Sequence, residues 1–167
     1  MKSWIRRVVL LALVGGLAFL AWRWLHPDDE SLIRTRLSRL AGDVSFARGE
    51  GSFAKLSYAD KVVGHFTREV EIALGGQVPE LAGVHGRDQL RELAMGARAQ
   101  AQQVKVEFLD VKPAVDPGGL DATAVLTVLA DVNGEKNAVA QELQMTLSKT
   151  NGEWLIRRVE AVKTLRR

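Results

Sequence analysis

The sequence predicts an α+β fold: a curved antiparallel sheet covered by about three helices and preceded by one transmembrane helix. Three observations predict it. Residues Val8 to Trp22 carry no charge, three segments between residues 28 and 102 place apolar residues at helical spacing, and the pattern switches to period two from Gln103 onward. Residues 1–26 are read as the anchor and residues 27–167 as one domain, large enough for one core and too small for two.

The anchor comes first. VVLLALVGGLAFLAW gives about 22 Å of helix, short of the roughly 30 Å hydrocarbon core. Its flanks supply the difference, so the span runs from Trp4 to Trp24. Trp4, Trp22 and Trp24 sit at the interfaces, and Arg6, Arg7 and Arg23 snorkel outward. An uncleaved anchor is favoured over a cleaved secretory signal, because cutting after Ala21 would put bulky Phe19 three residues before the cut and cutting after Ala18 would leave an apolar mature end. Lys2, Arg6 and Arg7 precede the helix, whereas Arg23 and His26 are followed at once by Asp28, Asp29 and Glu30. Basic residues stay inside, so the expectation is a single-pass protein of the cell membrane with a cytoplasmic N-terminus and an extracytoplasmic domain, periplasmic in a Gram-negative source.

The anchor also accounts for the pI of about 9.4. It holds four of the 23 Lys and Arg and none of the 20 Asp and Glu, so the domain is near neutral. A nucleic-acid binder would carry its positive charge on the domain, and no nucleic-acid partner is expected. The absence of cysteine fits an exported domain.

In the domain, DDESLIRTRLSRLAG starts with acids suited to a helix N-terminus, spaces Leu32, Ile33, Leu37 and Leu40 helically, and is expected to stop at Gly42. A second helix is expected from about Ser52 to Phe66, and TREVEIAL alternates as a short strand. GRDQLRELAMGARAQAQ reads as a third helix. QVKVEFLDVKP, LDATAVLTVLAD, NAVAQELQMTLSK and EWLIRRVEAVKTL then read as strands, separated by PGG, VNGEKN and TNGE turns in which Asn-Gly signals hairpins. Short links between sequential strands imply antiparallel pairing.

The short strand ending in GG, the GRDQL helix start and the closing NGEWLIRRVEAV, in that order, resemble the nuclear transport factor 2-like superfamily, also called SnoaL-like, over about residues 28–165. The resemblance implies a cystatin-like cone. Members include isomerases, dehydratases, epoxide hydrolases, polyketide cyclases, transport adaptors and membrane-anchored assembly subunits of type IV secretion, so it implies fold far better than function. Enzymes of this kind place a carboxylate base at the end of the first strand. In EIALGG that stretch holds Ala73 and Leu74, with Glu71 the nearest acid and its alternation pointing it away from the apolar face.

No catalytic residue is therefore assigned. Tyr58, His65, Met95, Phe108 and Met145 are the residues expected to line a pocket if the cone is open. His26 borders the membrane, and neither His65 nor His85 has a second histidine or a carboxylate at metal-ligand spacing, so no metal is expected. No dinucleotide, phosphate-loop or nucleophile-elbow motif occurs, and no cofactor is expected. The reading is a membrane-tethered, non-catalytic binding or assembly domain; the alternative is a small proton-transfer enzyme of isomerase, dehydratase or cyclase type. The expected partners are the membrane, a protein or small apolar ligand, and a second copy paired through the sheet. The last rests on Val125 and Leu129 answering Ala124, Leu126 and Val128 across one strand, where a half-solvated sheet would alternate more cleanly.

Overall fold

The computed structural model describes residues 28–49, 51–74, 81–134 and 139–162. The expected anchor, with Trp4, Arg6, Arg7, Trp22, Arg23 and Trp24, lies outside them, and among the described residues no helix is long and apolar enough to cross a membrane.

Helix α1 (Asp29–Val44) starts with Asp29 and Glu30, whose charges suit the positive end of the helix dipole, and buries Ile33, Leu37, Leu40 and Ala41 along one stripe. It runs past Gly42 and closes at Ser45, whose N–H bonds the carbonyls of Ala41 and Gly42 and whose hydroxyl donates to Ala41 at 2.7 Å. Helix α2 (Ser52–Val63) ends before Phe66, because Phe66 already belongs to strand β1 (Phe66–Ala73). Strand β2 (Gly83–Gly86) leads into α3 (Arg87–Gln100), where the Gln89 side chain accepts the Gly86 N–H at 3.1 Å. The long strands β3 (Val104–Val115), β4 (Asp121–Val132), β5 (Val139–Thr150) and β6 (Glu153–Ala161) follow.

These strands form one six-stranded sheet in the order β2-β1-β6-β5-β4-β3. Two expectations are corrected. The four-residue, glycine-bounded β2 shows too little alternation to be read, and β1 pairs parallel to β6, not antiparallel. β1 reaches β6 only after five intervening elements, so no hairpin dictates its direction.

Two irregularities bend the sheet. The β3–β4 register shifts between Leu109 and Lys112, with Asp110 at φ 52°, and the β5–β6 register shifts between Thr146 and Leu147. An extra residue in a strand raises twist and curls it, here around α1. The Arg34 guanidinium donates to the Val111 carbonyl just past the β3 bulge. The concave face presents Ala122, Ala124 and Leu126 from β4, Leu143, Met145 and Leu147 from β5, and Trp154, Ile156 and Val159 from β6 to Ile33, Leu37 and Leu40. Burying each large aliphatic side chain contributes about 1.5–3 kcal/mol before entropy is charged against it. A smaller cluster of Val63, Val70 and Leu90 ties α2 and α3 to β1.

Candidate functional site

Among the described residues the one buried polar side chain is His65, which reaches from the start of β1 to the last turn of α1. His65 sits between α2 and β1, and its backbone is fixed on both sides: its N–H donates to the Val62 carbonyl and its own carbonyl accepts from the Ile156 N–H at 2.9 Å. That anchorage turns the imidazole toward the last turn of α1, where Nε2 lies 2.8 Å from the Asp43 carboxylate. His65 is 4% exposed, whereas about a third of the Asp43 side chain reaches solvent. Nδ1 of His65 is buried and meets no partner among the described residues. With its Nε2 on the carboxylate, the ring is held in one orientation and its other nitrogen faces the interior.

Beside this pair, Tyr58 of α2 donates its hydroxyl to the Val44 carbonyl at 3.2 Å and meets Phe46 edge to face at 5.5 Å. The Arg98 guanidinium from α3 stacks on both rings, 4.4 Å from the Phe46 centroid and 4.8 Å from that of Tyr58. Such contacts contribute about 0.5–2 kcal/mol and hold the charge at a defined place. They form one wall of a cleft of about 490 Å³ between residues 46–49 and the last turns of α3, lined also by Arg48, Met95 and Gln102.

The five residues expected to line a pocket are thus dispersed. Met95, 59% exposed, lines the end cleft, and Tyr58 packs against its Phe46–Arg98 wall. His65 turns inward to Asp43. Phe108 lines a separate cleft of about 380 Å³ between α1 and β3, with Arg34 and Ser38. Met145 belongs to the core, 3% exposed. Glu71 ion-pairs with Arg158 at 3.0 Å, both side chains more than 40% exposed, so it points away from the concave face. His85 bonds the Leu81 carbonyl at 3.0 Å. Among the described residues no three His, Asp or Glu side chains converge as a metal site.

Asp43, Phe46 and Arg98 were not singled out from the sequence. Asp43 alone carried a signal: the last turn of α1 holds no basic residue, and a carboxylate opposing the helix dipole there calls for a partner elsewhere in the fold.

No family model and no curated protein matches the chain. Solved structures do. A protein provisionally named an aromatic ring hydroxylase from Novosphingobium aromaticivorans superposes with a TM-score of 0.63 at 17% identity, over 80% of this chain and 87% of its own. A protein of unknown function with a cystatin-like fold from Nostoc punctiforme gives 0.59 at 12%, over 82% and 93%. A provisionally named dehydratase of the nuclear transport factor 2-like family from Streptomyces avermitilis gives 0.57 at 14%, over 83% and 97%. The domain therefore has the cystatin-like α+β fold that nuclear transport factor 2-like proteins share, and at these identities the likeness is one of fold.

Proposed function

We propose that the protein is a membrane-tethered, extracytoplasmic binding domain whose ligand, a small apolar molecule or an apolar segment of a protein partner, enters the cleft between Phe46 and Met95. The supporting observation is how space is divided. Leu126, Met145, Leu147, Trp154 and Ile156 fill the concave face, whereas the Phe46 cleft lies at the end of the cone and joins an apolar wall to the guanidinium groups of Arg48 and Arg98. Apolar walls with a few placed charges are what small-ligand sites require.

The chain has no cysteine, so a polarity-sensitive dye on Met95→Cys in nanodisc-embedded protein reports on the cleft alone. A panel of aromatic and medium-chain carboxylates should give at least one saturable response that Phe46→Ala removes; a panel without one rejects the cleft. Reporter fusions after Leu25 and at the C-terminus should be active only outside the cytoplasm, and a mature N-terminus after Ala18 or Ala21 would refute the anchor.

The Asp43–His65 pair supports the second reading, a proton-transfer enzyme. His65→Gln and Asp43→Asn would then each lower turnover by about 10²–10⁴ with the fold intact. Glu71→Gln, on the opposite face of the sheet, would leave it unchanged.

A further inference from the structure

The end of the domain opposite the Phe46 cleft gathers α1's start and several turns. β1 starts beside β6, with Phe66 opposite Ile156; β2 ends with Gly86 opposite Glu69; and the β3–β4 turn abuts the end of β5, with Asp121 opposite Ser148. The start of α1 is locked to the same end, because the Asp29 carboxylate accepts from Lys149 Nζ at 2.6 Å and from Trp154 Nε1 at 3.0 Å.

Two features there lack an internal role. Leu120, on the β3–β4 turn, is 64% exposed, held there as its carbonyl accepts the Lys149 N–H at 2.7 Å. Arg68 and Arg87 line a cleft of about 690 Å³ with Thr67, Thr150 and Asn151. Glu153, the carboxylate in that lining, is engaged by Arg36 at 2.7 Å, and among the described residues neither Arg68 nor Arg87 pairs with an acid.

We infer that this end docks on the bilayer, with Leu120 entering the interface and Arg68 and Arg87 holding the phosphate of one phospholipid headgroup. The inference rests on the tether. Only residues 25–28 separate Trp24 from α1, and four residues reach at most about 14 Å. The 16 residues of α1 put the Phe46 cleft about 24 Å farther away. A phosphate takes two guanidinium groups readily, and an apolar turn residue gains by leaving water. Asp28, Glu30 and Asp116 are exposed at this end too, so the contact is a headgroup clamp and not a diffuse attraction to anionic lipid.

The test uses the full chain in phosphatidylethanolamine–phosphatidylglycerol nanodiscs with a headgroup spin-labelled lipid and a fluorophore on Gly118→Cys or Arg48→Cys. Quenching should be at least about threefold stronger at 118 than at 48. Leu120→Ser and the double variant Arg68→Gln/Arg87→Gln should each roughly halve it at 118, and it should persist in 50 mM inorganic phosphate because tethering makes the lipid phosphate locally far more concentrated. Equal quenching at both sites, or quenching untouched by the variants, overturns the docked end. Quenching abolished by inorganic phosphate assigns the arginines to a soluble anion and also overturns it. A chain stripped from the membrane by alkaline carbonate refutes the tether and the docking together, whereas a retained chain with equal quenching refutes the docking alone.

Discussion

Asp29 joins α1 to the closing hairpin. The hydrogen bond from Lys149 is the largest influence on its carboxyl and holds it below the ordinary value of 3.8; burial is next and opposes it, and the Trp154 indole and the Lys149 charge add to the lowering. A carboxyl whose folded value lies below its unfolded one contributes stability that is fully present above about pH 4 and is lost as pH falls through the folded value. Asp29→Asn should therefore cost about 1–2 kcal/mol at pH 7. Urea unfolding followed by circular dichroism should show the difference shrinking as pH drops from 4 toward 2, and a pH-independent difference would exclude the charge as its cause. Legibility at this scale was uneven. Asp29 was expected at a helix start, but its partners are more than 100 residues away in sequence and only the fold brings them together.

At the scale of elements, helices and long strands were legible because each has one face on the core and therefore a period. What escaped had no period or broke one. In β3 the inward residues Val104, Val106 and Phe108 are followed by Val111, Pro113 and Val115, a change of phase that the bulge at Asp110 absorbs. The β5–β6 turn behaves as its Asn-Gly pair predicts. Thr150 faces Glu153, and Asn151 and Gly152 both take positive φ, 52° and 84°. That two-residue turn matches the twist of the strands and suits glycine at its second position. Gly152→Ala should lower stability by about 1 kcal/mol, measured as a shift in urea midpoint with unchanged slope, because the Cβ meets open space and only the backbone conformation is penalised. A neutral result would mean that the turn relaxes to another type.

At the scale of the molecule, the outer face of the sheet differs from edge to edge. Toward β1 it is polar: Arg158 bridges Glu71 and Glu160, and Gln144 donates to Glu160 at 3.1 Å. Toward β3 it carries Val125 and Leu129, half-buried, and Leu109, 42% exposed. We propose that this apolar side pairs with a second copy. Sedimentation of detergent-solubilised chain should give a dimer that Val125→Lys weakens at least tenfold, and a monomer at tens of micromolar would reject the pairing.

The placement of β6 between β1 and β5 bears on the order of assembly. Ile33, Leu37 and Leu40 bury against strands that begin some eighty residues later and end with the last one, so α1 has no completed surface to fold on while the chain emerges N-terminus first. A nascent chain lacking β6 would keep that apolar stripe exposed. Chains released at Thr150 should accordingly be digested throughout by protease, α1 included, whereas the whole chain resists. The arrival of β6 thereby sets the moment at which the domain becomes a folded body.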